Sequence, residues 1–153
     1  MKYEAIVCDL DGTLLNADHR LAEETKEVIK KVKDTGKKIF IATGRHHKDA
    51  MEIKKQLGLD SYLISSNGAR IHDENNKEIY ERNLDLDIVN FILDTKCSSD
   101  ISRHIYTDEK WYVEDEKEEY RISHQASGFL YEVKDFSKIT GEKFIKIFFI
   151  STN

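Results

Sequence analysis

Two aspartates one residue apart, Asp9 and Asp11, stand just past a short apolar run in the string Asp9-Leu10-Asp11-Gly12-Thr13. Two carboxylates held at one spot repel each other, and the repulsion is costly unless a cation shares the site. A hard divalent ion answers it. Mg²⁺ takes oxygen ligands, keeps several waters and binds through one or two carboxylates together with a substrate phosphate, so the pair suits a magnesium phosphate site better than a calcium cage. The same pair also reads as a helix-capping turn with solvated acids. What decides between the two is which other residues reach the same place. Two further polar strings are candidates, Thr43-Gly44-Arg45 and Ser65-Ser66-Asn67-Gly68.

Each string follows an apolar run. Tyr3 to Cys8 and Lys38 to Ala42 read as buried parallel strands, and Ser61 to Ile64 as a third strand. Between them, Val28, Ile29 and Val32 recur at helical spacing within Ala22 to Thr35, with Gly36 following as the residue past the helix end. His47 to Leu57 reads as a second helix with Ala50, Ile53 and Leu57 inward and Gly58 closing it. Strand, helix, strand, helix, strand is the alternation of an α/β fold with a parallel sheet and right-handed crossovers. Ligands gather outside the carboxyl ends of such strands, which is where all three strings fall.

After Gly68 the pattern changes. Ala69 to Asp73 and Lys77 to Tyr80 flank Glu74-Asn75-Asn76 as a hairpin, and Leu84 to Lys96 reads as a helix with Ile88, Phe91 and Ile92 inward. Ile101 to Tyr106 and Lys110 to Val113 flank a turn at Asp108-Glu109, Glu114 to His124 has helical character, and Lys143 to Ile150 is an apolar strand. This second segment is α+β with antiparallel pairing.

Composition limits the remaining classes. A chain of 153 residues with 39% hydrophobic residues buries one ordinary core. The charges are mixed in sign and sum to −5, which argues against a nucleic-acid surface. No apolar run approaches the roughly 18 residues of a membrane span, so a cytoplasmic location is expected. Cys8 and Cys97 lack disulfide or zinc spacing, and Cys8, inside an apolar strand, reads as a small buried residue rather than a nucleophile. His46 and His47 are read as a solvated helix start, Lys54-Lys55 as a solvated helix face, and Trp111-Tyr112 as packing.

An apolar strand followed by Asp-Leu-Asp-Gly-Thr-Leu resembles the first motif of the haloacid dehalogenase-like hydrolase superfamily, and Ile41-Ala42-Thr43-Gly44-Arg45 resembles its second. Ser66-Asn67-Gly68-Ala69 before a hairpin looks like the Cof-type subgroup, which carries a large type IIB cap after the third strand. The resemblance implies a partial Rossmannoid core over residues 1–81 and a partial cap over residues 82–153. It implies an Mg²⁺-dependent phosphohydrolase acting on a small phosphorylated metabolite, such as a sugar phosphate, through an aspartyl-phosphate. Asp9 would be the nucleophile and a metal ligand. Asp11 would be the general acid/base, its backbone carbonyl also on the metal, and Gly12 would permit an unusual backbone angle. Thr43 and the N–H groups of Leu10 and Gly44 would hold the phosphoryl oxygens. Arg45 and Asn67 are candidate substrate contacts. Arg45 is also readable as an exposed arginine at a helix start, and Asn67 with Gly68 as a turn pair.

Two parts of the family pattern, a later lysine and a Gly-Asp loop, are not found, so the sequence reads as the first part of a longer protein. The first strand would then present an open sheet edge through which copies could associate. A catalytically inactive phosphate-binding protein and a phosphoacceptor signalling domain are the alternative readings.

Overall fold

The computed structural model of the chain describes residues 3–116, 118–125 and 127–151. They divide into two compact units, Met1–Glu81 with Ser123–Gly128, and Arg82–Ile122 with Phe129–Asn153. No helix is long and apolar enough to cross a membrane among the described residues.

The first unit is α/β. Strand β1 (Ala5–Cys8), helix α1 (Glu23–Asp34), strand β2 (Lys38–Ala42), helix α2 (His47–Gln56) and strand β3 (Tyr62–Ser65) alternate, followed by the hairpin β4 (Arg70–His72) and β5 (Glu78–Glu81). The sheet order is β1-β2-β3-β4-β5, with the first three strands parallel and the hairpin antiparallel. Helix α1 carries Glu23 and Glu24 in its first turn and Lys31 and Lys33 in its last, matching both ends of its dipole. Gly36 then takes φ +76, a left-handed angle that ends the helix without a Cβ clash. The core under the helices is Leu10, Ile29, Ile41, Ala50, Ile53, Leu57 and Leu63, each nearly or wholly enclosed. Burying such a side chain is worth about 1.5–3 kcal/mol.

Several expected faces differ. Strand β1 is half exposed, with Val7 64% exposed, because it lies at the sheet edge rather than inside it. Val28 is exposed while Ile29 is buried, so the inward face of α1 is narrower than its apolar spacing suggests. Lys54 is buried, not solvated: its Nζ donates to Asn76 Oδ1 at 2.8 Å and to Asp73 O at 3.3 Å, tying α2 to the hairpin.

The second unit holds helix α3 (Leu86–Asp94), strands β6 (Ile101–Thr107) and β7 (Trp111–Val113), helix α4 (Glu118–His124, its last two residues grouped with the first unit), and strands β8 (Glu132–Val133) and β9 (Phe144–Ser151). Its sheet runs β8-β7-β6-β9, antiparallel except for the short β7–β8 pair. One face packs Ile105, Tyr112 and Phe144 against Val89 of α3, with Phe136 and Ile139 completing the cluster. Ile88 and Phe91, expected inward, are exposed; α3 is apolar on both faces, so its spacing does not distinguish them. No basic residue lies in the last turn of α3. Arg103 serves that end instead, donating to the carbonyls of Ile92, Leu93 and Thr95 while also pairing with Glu114. On the other face His104, Tyr106, Trp111 and Phe148 meet edge-on or tilted, and Trp111 Nε1 donates to His104 Nδ1 at 3.1 Å.

Candidate active site

Register brings the three polar strings to one edge of the first sheet. Cys8 pairs with Ile41 and Ala42 pairs with Ile64, so the chain leaves β1, β2 and β3 at nearly the same level. Asp9, Thr43, Gly44, Asn67 and Gly68 consequently line one cavity of about 330 Å³. A larger cleft of about 560 Å³ lies along α2, lined by Lys48, Lys54, Lys55, Glu52 and Asp60 among others.

The first loop is built around Leu10. Its side chain is fully enclosed, so strand-like alternation turns the flanking Asp9 and Asp11 outward. Its carbonyl accepts the N–H groups of Leu14 at 3.0 Å and Leu15 at 2.8 Å, closing the turn, and Gly12 supplies the φ of +70 that the turn requires. The N–H of Leu10 donates to Asp9 Oδ1 at 2.6 Å. That donor, expected to face phosphate, is therefore occupied by the adjacent carboxylate.

The second and third loops brace each other. Thr43 is buried, and its Oγ1 accepts the N–H of Arg45 at 3.2 Å. Its carbonyl accepts the N–H of Asn67 at 3.1 Å, and the carbonyl of Arg45 accepts that of Ser66 at 2.8 Å. Ser66, Asn67 and Gly68 are left-handed in succession, with φ of 49, 58 and 96°. A buried serine in that region holds about 1–2 kcal/mol of strain, which the cross-loop bonds must offset.

Arg45 is 7% exposed, which removes the solvated-arginine reading. Its Nε donates to Asp11 Oδ2 at 2.7 Å and its Nη2 to Asp11 Oδ1 at 2.6 Å, a two-pronged clasp on the carboxylate. Its Nη1 donates to Asp49 Oδ2 at 2.9 Å. Burial alone would weaken the guanidinium's hold on its proton, but hydrogen bonds and charge from Asp11 and Asp49 outweigh it and push Arg45 further up. Those Arg45 hydrogen bonds hold the Asp11 carboxyl at about 2, against a burial effect that would raise it, and His19 adds to the lowering. Asp11 is accordingly a carboxylate at neutral pH.

His19 and Asp49 were not foreseen. Asn16 Oδ1 accepts the N–H groups of Asp18 and Arg20, bending the chain back so that His19, at φ 55°, sets Nδ1 2.9 Å from Asp11 Oδ1. Asp49 lies in the first turn of α2, and Arg45 stands just ahead of the His46 cap, where the loop turns its guanidinium back onto that turn. His46 is also buried, contrary to the solvated reading: it caps α2 by accepting the N–H of Lys48, and its ring lies 4.2 Å from that of His47.

A magnesium ion fits one part of this donor set. Asp9 is an exposed hard-oxygen donor on a polar cavity, whereas the Asp11 side chain is taken up by Arg45 and His19. Few protein oxygens plus water and phosphate is what Mg²⁺ accepts. Among the described residues no group of three His, Cys, Asp or Glu is arranged to cage a metal.

Comparison with known proteins follows the same line. A family model described as haloacid dehalogenase-like hydrolase matches residues 6–153. The chain is 38% identical over 138 residues to an HMP-PP phosphatase of Serratia proteamaculans, covering 90% of this chain and 50% of the relative. It is 38% identical over 153 residues to a putative phosphatase of Buchnera aphidicola, covering 99% and 57%. The chain thus spans about half the length of the curated relatives it matches. A haloacid dehalogenase-like hydrolase from B. subtilis superposes with a TM-score of 0.76 at 26% identity, covering 94% of this chain and 60% of that one. A subclass IIB sugar phosphatase superposes with a TM-score of 0.74 at 22% identity, covering 94% and 57%, a likeness of fold alone.

Proposed function

Because the chain belongs to the haloacid dehalogenase-like hydrolases, we propose that its protein is a phosphatase whose nucleophile is Asp9 and whose acid/base is Asp11. The observation that carries this reading is the shared cavity: Asp9 lines it together with Thr43 and Gly44, the residues expected to hold a phosphoryl group.

In this reading Asp9 attacks phosphorus and the ester oxygen leaves, giving an aspartyl-phosphate. Thr43 and the N–H of Gly44 bind the phosphoryl oxygens, and the N–H of Leu10 joins them once it releases Asp9. Asp11 takes a proton from water to start the second step, a role its ionised form suits. As general acid in the first step it needs a proton, which the negative charge of a bound phosphate would help it hold. Mg²⁺, held by the Asp9 carboxylate and the Asp11 main-chain carbonyl, would supply the positive charge that lets a carboxylate approach a phosphate. The second unit plays the part of the cap and selects the leaving group.

The substrate class is a small phosphorylated metabolite. The names of the relatives make HMP-PP the first compound to assay, with hexose phosphates beside it. The test is phosphate release by the product of the full reading frame, with Mg²⁺ or with EDTA, by wild type and Asp9→Asn. Mg²⁺-dependent release abolished in the variant supports the reading. Phosphate binding without release would favour an inactive phosphate-binding protein.

A further inference from the structure

Asp49 is a fully buried carboxylate that the mechanism above does not use. An acid in the first turn of a helix ordinarily serves the dipole there, and an exposed one does so as well as a buried one. Enclosing the charge is costly without partners. Its partners face one way: Arg45 Nη1 lies 2.9 Å from Oδ2, His124 Nδ1 lies 2.8 Å from the same oxygen, and the Ser127 hydroxyl also bonds it.

The other two donors of the same guanidinium hold Asp11. An arginine side chain has many rotamers, and a planar fork placed on one carboxylate can still pivot about it. Pinning Nη1 to an immobile acid in the first turn of α2 removes that pivot. We infer that Asp49 is a positioning residue: through Arg45 it sets where the carboxylate of Asp11 sits relative to the leaving-group oxygen. The inference rests on the proposed acid/base role of Asp11. His19 Nδ1 meets the same Asp11 oxygen that Arg45 Nη2 holds, adding a contact from the first loop.

The role has a signature that plain stability lacks. A misplaced acid slows esters whose leaving group needs a proton more than it slows p-nitrophenyl phosphate, whose leaving anion needs none. In the product of the full reading frame, Asp49→Asn should lower kcat on an alkyl phosphate relative to kcat on p-nitrophenyl phosphate by about 10- to 100-fold. KM should move much less, and Asp49→Glu should recover part of the ratio. A second readout needs no turnover. The Arg45 Nε–H, fixed on Asp11, should give a protected side-chain NMR resonance that Asp49→Asn loses and Asp49→Glu partly restores. A shifted ratio together with the lost resonance supports the inference. An unchanged resonance, or equal losses on both esters in a folded variant, overturns it. A wild type without turnover on either ester counts instead against the phosphatase reading, and the resonance alone then decides the positioning claim.

Discussion

Replacing Arg45 with methionine keeps the length and apolar stem of the side chain and removes its charge, leaving Asp49 enclosed with one fewer cation. Breaking a buried ion pair by deleting one partner costs about 3–5 kcal/mol. Asp49 keeps His124, which places the loss at the lower end. The Asp11 side chain is 39% exposed, so losing that contact adds no more than about 1 kcal/mol. The expected destabilisation of the first unit is therefore about 3 kcal/mol, or about a hundredfold less protection in amide hydrogen exchange at Ile39 and Ile41 of β2. Exchange suits the question because it reads the first unit directly, whereas the sole tryptophan, Trp111, lies in the second. Adding Asp49→Asn to Arg45→Met should cost less than Asp49→Asn alone, with a coupling of about 1–3 kcal/mol. If Arg45→Met changes protection by less than about 0.5 kcal/mol, the size expected at an ordinary surface site, then Arg45 is not balancing a buried charge and the reasoning fails.

Other outcomes follow from the same geometry. Thr43→Val, which keeps the shape and removes the hydroxyl, should lower kcat by about 10²–10³ in a phosphatase assay, the usual cost of one transition-state donor. Ser66→Gly should relieve left-handed strain and raise the urea midpoint by an amount worth about 1 kcal/mol. Asp11 and Asp49 bind protons less readily folded than unfolded, Asp11 because of the Arg45 hydrogen bonds and Asp49 because His124 and Arg45 outweigh its burial. The stability they contribute is thus whole above the ordinary carboxylate value of about 4 and is lost as pH falls, for Asp11 down to about 2. Acid unfolding followed by circular dichroism should be shallower in Asp11→Asn across that window.

The meeting of the three polar strings was legible because strands end where apolar runs end. Lys38 to Ala42 is a strand with the bounds its residues suggest, and the polar strings after it and its neighbours do meet at one cavity. Burial was harder to read. Arg45, His46 and Lys54 are polar residues in or just before a helix, where solvent usually reaches, and only the fold reveals that a carboxylate, a backbone N–H and an asparagine wait for them. The spacing of Arg45 and Asp49 carried no helical signal, because Arg45 stands before the His46 cap and only the path of the loop brings it to Asp49. His19 carried none, because its approach to Asp11 depends on the Asn16 turn. Helix α3 misled for the opposite reason: Leu86, Ile88, Val89 and Phe91 are all apolar, so periodicity offered no single inward face.

The central claim is that Asp9 forms a covalent bond to phosphorus. Quenching the enzyme in acid during turnover of a phosphate ester, reducing with borohydride and sequencing by tandem mass spectrometry tests it at one residue, because an aspartyl-phosphate is reduced to homoserine and a free carboxylate is not. A nucleophilic Asp9 gives homoserine at position 9, dependent on substrate and on Mg²⁺, and none in a protein carrying Asp9→Asn. Steady turnover with an unmodified Asp9, or homoserine at Asp11 in its place, would contradict it.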